Sequence, residues 1–328
     1  MKVRLLTETE IRGLIDWGEA VEAVEKSLAS FSSGKVISPD VVNLDLPRFQ
    51  GEVHLKSAYI PGEEFYVIKV ASGFYQNPAL GLPVGNGLML VFEAKTGRPH
   101  GILFDNGYLT EMRTGAAGAV AAKHLARGTI SIAGLIGAGA QARFQLRALM
   151  EVRRPAEVRV WSREPAHARA FIEEMKPACP AEYIAVGSPA EAVGGADLVV
   201  TATPSRAPLV KASWLKKGVH ITAVGSDGPE KQELEPEVLA AADLIYCDSV
   251  KQCLRLGEVH HALEKKAITR AKISGELGEI VLGKKPGRFG DEQITVADLT
   301  GLGAEDAAAA AVVYRKALSS GAGTVVEI

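Results

Sequence analysis

Gly137, Gly139 and Ala142 form a G-x-G-x-x-A that follows the apolar run ISIAGLI and opens QARFQLRALMEV, whose apolar residues recur at helical spacing. A tight strand-to-helix turn of small residues lets a phosphate approach the backbone, and the helix N-terminus meets its negative charge. The chemistry expected at this turn is binding of a dinucleotide pyrophosphate. The next apolar run, EVRVW, ends in Ser162 and Arg163, where an acid would hold the ribose diol of NAD. A hydroxyl and a guanidinium suit a 2′-phosphate instead, so NADP is expected, with NAD as the alternative.

A second group consists of charged residues set in or beside apolar runs. His54 and Lys56 are two apart in VHLKSAY and point to one face of a strand, while Lys69 interrupts FYVIKVASG. A lysine in such a run either carries its charge to an edge or lies buried opposite an anion or a reacting group. Arg113 falls in the first turns of a helix just ahead of the glycine-rich turn, where a guanidinium would pair with a substrate carboxylate through two bonds. Asp227 follows VHITAV, beyond the end of a parallel strand, and could exchange protons with an amine or imine. His100, His124, His167, His220 and the pair His260 and His261 lack metal-ligand spacing with other ligands, so no metal is expected. Cys179, Cys247 and Cys253 form no CxxC and read as free thiols.

These residues need elements to hold them. After Gly128, strands such as TISIAGLIG, EVRVWS, ADLVVTATP, VHITAVGS and ADLIYCDS alternate with helical runs, the mark of a Rossmann-like, doubly wound parallel sheet. From Val41 to Phe104 the runs are short, rich in β-branched and aromatic residues, and separated by Pro and Gly, which predicts an antiparallel or mixed sheet. One or two short helices are expected first, from TETEIRGLIDWGEAVEAVEKSLASFSSGK. Leu109 to Arg127 reads as one long helix, and EDAAAAAVVYRKALSS as a helix that returns to the first domain. The expected fold class is α/β, with an α+β domain over residues 1–118 and 305–328 and a Rossmann domain over 119–304.

The 37 basic and 39 acidic side chains among 328 residues give a net charge of -2. That balance carries no electrostatic footprint for nucleic acid or an anionic membrane. The opening MKVRLLTETEIRGLIDW lacks the apolar core of a signal peptide, and no run approaches the ~18 apolar residues of a membrane helix. The expected location is the cytoplasm.

Five blocks in order, YVIKVASG, GYLTEMRTGAAGAVAAKHLA, GLIGAGAQA, VGSDGPEKQEL and ITVADLTGLGAED, make the chain resemble the ornithine cyclodeaminase/mu-crystallin family over nearly its whole length. Members include cyclodeaminases, alanine and other amino-acid dehydrogenases, reductases of cyclic ketimines such as pyrroline-2-carboxylate, and a hormone-binding crystallin. The resemblance implies a homodimer whose N-terminal domain supplies the interface and much of the substrate site. It implies that Arg113 grips the substrate carboxylate, that Lys69 orients the carboxylate or imine and shuttles a proton, and that Asp227 handles the amine. Thr114, Gly139, Ala140, Gln141 and Lys231 fall where members touch the dinucleotide, and Thr203 is a further candidate for cofactor binding.

Two departures bear on the substrate. Val41 and Asn43 stand where many members carry an Arg, a contact that Lys56 or Arg48 could replace. His54 and Ser162 stand where ornithine cyclodeaminase has acids, which turns the expectation away from ornithine. The expected activity is NAD(P)-dependent hydride transfer to or from the α-carbon of an amino acid or its imine. A redox-neutral cyclodeaminase is the first alternative, and a non-catalytic ligand-binding protein is the second.

Overall fold

The computed structural model describes residues 2–328. The chain opens with β1 (Lys2–Thr7), α1 (Glu8–Arg12), α2 (Trp17–Ser32), β2 (Val42–Leu46), β3 (Gly51–Ala58), β4 (Phe65–Phe74), β5 (Gly85–Glu93), β6 (Pro99–Phe104) and α3 (Tyr108–Leu125). It continues with β7 (Ile132–Ile136), α4 (Ala140–Val152), β8 (Glu157–Trp161), α5 (Pro165–Met175), β9 (Glu182–Ala185), α6 (Pro189–Val193), β10 (Leu198–Thr201), β11 (Arg206–Val210), β12 (His220–Ala223) and β13 (Gln232–Leu234). Last come α7 (Pro236–Ala241), β14 (Leu244–Cys247), α8 (Val250–Cys253), α9 (Gly257–Glu264), β15 (Gly275–Glu276), α10 (Leu277–Val281), β16 (Thr295–Asp298), α11 (Gly303–Ser320) and β17 (Thr324–Glu327). Contacts divide the chain into two units, one running up to Arg113 and resuming at Leu302–Ile328, the other Thr114–Gly301.

The first unit is a seven-stranded mixed sheet in the order β17-β1-β6-β5-β4-β3-β2. Only β1 and β6 run parallel; the other neighbours are antiparallel. The two helices expected near the start are present as α1 and α2, but a strand precedes them: residues 2–7 pair with β17 and β6 before Thr7 starts α1 with a capping box to Glu10. Nor is the C-terminal segment 305–328 all helix. Gly321, at φ +75°, ends α11 in the left-handed conformation, and the β-branched Thr324, Val325 and Val326 then add a strand beside β1. Helix α11 packs on α2, β3 and β4. Its alanines let it lie close, and Gly101 of β6 leaves the room that the Tyr314 ring fills.

The second unit is an eight-stranded parallel sheet, β15-β14-β16-β12-β10-β7-β8-β9. The chain starts in its middle at β7, steps out through β8 and β9, then crosses back to β10 and β12. This is the doubly wound order, and ligands of such sheets bind at the carboxyl ends of the strands where the order reverses. Two buried clusters, one around Ile136, Ile221 and Val296 and one around Leu135, Leu146 and Phe171, form its core. A small parallel pair, β11 and β13, stands outside the main sheet. All three cysteines are buried and free, as expected. Among the described residues no helix is long and apolar enough to cross a membrane.

Candidate active site

In the first unit, Lys56 of β3 and Lys69 of β4 are direct cross-strand partners. Of the two readings open for Lys69, burial opposite an anion is the observed one: it is 3% exposed, with Nζ 2.8 Å from Asp306 Oδ2. Arg113, on α3 and also buried, donates from Nε to Asp306 Oδ1 at 2.7 Å and from Nη1 to Glu305 Oε2 at 2.9 Å. Both acids sit in the first turn of α11, where the helix dipole favours negative charge. That turn is pressed against β3, since a Cβ on Gly303 would come within 2.9 Å of Ser57 O.

The electrostatics follow from crowding. Burial pushes the Lys69 ammonium down to about 7; Asp306 opposes this, while Arg113 and Lys56 add to it. Burial would raise the Asp306 carboxyl, but Arg113, Lys69 and Lys56 outweigh it and hold the group below its ordinary value. Burial likewise works against the Arg113 charge, and Asp306 and Glu305 more than restore it. An added anion beside these cations would therefore favour protonated Lys69, as a substrate carboxylate would. His54 lies on the same strand as Lys56, opposite Ala71, with Nε2 3.6 Å from Glu52 Oε2. It takes no part in the bonds around Asp306.

In the second unit, the residues expected to touch a dinucleotide follow the carboxyl ends of β7, β8, β10 and β12, apart from Thr114, which lies on α3. Gly137 follows β7 at φ +113°, and a Cβ there would lie 2.6 Å from Ala202 O and 3.0 Å from Thr203 Cγ2. Gly139 caps α4, ahead of Ala140, and a Cβ on it would meet nothing within 4 Å. The first glycine is thus demanded by the fold. The second leaves open space over a helix N-terminus, a cradle that fits a pyrophosphate. Gln145 Nε2 donates to Thr114 O at 2.8 Å and to Gln141 Oε1 at 3.3 Å, which ties two expected contact residues together. Ser162, half-buried, and Arg163, exposed, follow β8.

Asp227 stands in the loop after β12 with its side chain 55% exposed, and Lys231 Nζ lies 2.6 Å from its Oδ1. The loop is closed on itself: Ser226 Oγ donates to Lys231 O, which also takes a 2.8 Å bond from His261 Nε2. Thr203 donates from N and Oγ1 to Glu233 Oε1 at 2.6 and 2.7 Å. His260, His261 and Glu264 place ligand atoms within 4.8 Å of one another, so helical spacing supplies the third ligand that had not been foreseen for the histidine pair. Glu305, Asp306 and Glu233 were not singled out from sequence. Two consecutive acids opening an otherwise apolar alanine helix, in GAEDAAAAAV, were the available signal for the first two.

The Ornithine cyclodeaminase/mu-crystallin family profile matches residues 1–321. Three similar solved structures span the chain. A dimeric archaeal alanine dehydrogenase with bound NAD is 37% identical, with a TM-score of 0.93 and 100% of both chains covered. The delta(1)-pyrroline-2-carboxylate reductase of Thermococcus litoralis, in complex with NADH and L-proline, is 36% identical with a TM-score of 0.93, covering 98% of this chain and 99% of that one. The iminosuccinate reductase of Paracoccus denitrificans, in complex with NAD+, is 32% identical with a TM-score of 0.91 and 100% of both chains covered.

Proposed function

The chain belongs to the ornithine cyclodeaminase/mu-crystallin family and is an NAD(P)-dependent oxidoreductase, and from that premise we propose that it interconverts a small α-imino acid and the corresponding amino acid. The observation that carries this reading is the buried cluster of Lys69, Arg113, Glu305 and Asp306 with Lys56 beside it, three basic groups against two acids, a balance that favours an added carboxylate.

The bound dinucleotide supplies or accepts the hydride. The remaining work falls to the chain. Arg113 and Lys69, with Lys56 beside them, hold the substrate carboxylate, and His54 lines the same strand. Lys69, with a proton affinity poised near neutrality, can give or take the proton that accompanies reduction or oxidation of the C–N bond. Asp227 is the second proton-carrying group, held by Lys231. Thr114, Gly137, Gly139, Ala140, Gln141, Ser162, Thr203 and Lys231 hold the dinucleotide. We assign NADP as the preferred form on Arg163, although the three similar structures named above carry NAD or NADH. The protein is proposed to act as a homodimer, a reading supported by the exposed apolar residues Val42, Leu44 and Phe49 on and beside the edge strand β2.

The test is nicotinamide absorbance with NADPH or NADH and a panel of pyrroline-2-carboxylate, piperideine-2-carboxylate, and pyruvate with ammonia or methylamine. Consumption with at least one of them is expected. Ammonia release from ornithine or lysine without net change in absorbance would replace this reading by a cyclodeaminase. Tight binding of an aromatic ligand with no turnover of any kind would replace it by a binding protein.

A further inference from the structure

Glu233 is fully buried on β13, outside the main sheet, yet its carboxylate reaches the ends of two main-sheet strands. Oε1 accepts from Thr203 N and Oγ1, after β10, and Oε2 accepts from Gly225 N, after β12, at 2.9 Å. The two segments meet at this point. A Cβ on Gly225 would collide with Thr203 O and come within 2.5 Å of Glu233 Oε2. The carboxylate is therefore a clamp whose two oxygens set the spacing between Thr203 and the segment that leads to Asp227.

The clamp is itself held. Glu258 Oε1 accepts from Glu233 N at 2.7 Å and its Oε2 from Leu234 N at 3.0 Å. Behind it, Asp298 Oδ2 accepts from Val259 N at 2.9 Å, fixing the start of α9. Three acids thus stand in series, each gripping the backbone of the next. None of the three has a Lys or Arg partner among the described residues. Burial raises the proton affinity of all three, Glu233 to about 7. Burying acids without counter-ions opposes folding, and fixed geometry is what such an arrangement can return.

We propose that Glu233 is a positioning residue for the reaction, clamping Thr203 and the Gly225–Asp227 segment in the mutual register that the dinucleotide and the Asp227 carboxylate require. This rests on the oxidoreductase reading and on the assignment of Thr203 and Asp227 given above.

Glu233→Gln in the full-length enzyme keeps the shape but turns one acceptor into a donor facing N–H and O–H groups. Cofactor affinity is read by NADPH and NADH fluorescence, and kcat and KM with an imino acid that the wild type reduces. The expected result is a fall in kcat of about 10- to 100-fold, the scale of a misplaced reacting group, and a several-fold weaker cofactor, with KM for the imino acid within about twofold. Thr203→Val, which removes one hydroxyl donor and leaves the acid in place, should show a smaller fall of the same pattern. Glu233→Gln with kcat and cofactor affinity near wild type overturns the proposal. Where Glu233→Gln does not fold, Thr203→Val with unchanged kinetics overturns it instead. A wild type that binds neither NADPH nor NADH overturns the underlying reading before any variant is made, which separates the two failures.

Discussion

Lys56 and Lys69 are directly opposite each other across the antiparallel β3–β4 pair, two like charges on adjacent strands. One is half-buried and the other fully buried, so the charge of the first bears on the proton affinity of the second. Removing the outer charge should raise the inner affinity. Protonated Lys69 is the form that pairs with a carboxylate and can donate to an imine, and it is lost as pH rises through about 7. In the reductive direction, kcat/KM of the wild type should therefore fall above about pH 7. In Lys56→Met that limb should move to higher pH, because kcat/KM reports the free enzyme. Overlaid pH profiles decide it, and a limb that stays in place would deny Lys56 this influence.

Asp306 is shared by Lys69 and Arg113, so Asp306→Asn would leave two buried cations with Glu305 as the acid bonded to Arg113. Breaking a buried pair from one side costs about 3–5 kcal/mol. Urea unfolding should register a loss of that order, and a midpoint unchanged from wild type would show that the pair contributes nothing.

Gly137 and Gly139 should separate fold from ligand. Gly137→Ala forces a side chain to φ +113° and into Ala202 O, so the turn must deform and stability should drop. Gly139→Ala has open space and an ordinary φ of -82°, so its melting temperature should match wild type while dinucleotide affinity falls at least about tenfold. Calorimetry and cofactor titration on the pair check both halves.

Arg163→Ala should weaken NADPH far more than NADH if the guanidinium holds the 2′-phosphate. Equal losses for both, measured by fluorescence titration, would reassign Arg163 to the surface.

Asp227→Asn should keep dinucleotide affinity within a few-fold and lower kcat by at least about 10², the usual scale for a positioned proton carrier. Near-normal turnover would remove Asp227 from the chemistry.

The strand, glycine turn and helix from Ile132 to Val152 are legible because everything they need is contiguous. Lys69 was legible as an oddity, a charge inside an apolar strand, but its partner was not, because Asp306 arrives from a distant helix that pairing and packing bring onto β4. Strands β1 and β17 escaped notice since each is short, and each is defined by pairing with the other end of the chain. Glu233 was hidden for a related reason. An acid in QEL reads as a solvated strand residue until the ends of β10 and β12 are seen to close around it.

The first unit is written in two pieces of chain, with Thr114–Gly301 between them. In chain order, every residue of the second unit is synthesised before Glu305 and Asp306. During that interval Lys69 and Arg113 exist without the two acids that later neutralise them, and β1 waits for β17. Completion of the first unit is thereby tied to the end of the chain: the cluster of Lys69 and Arg113 has its acids only when the last helix docks, whereas the second unit is one continuous stretch.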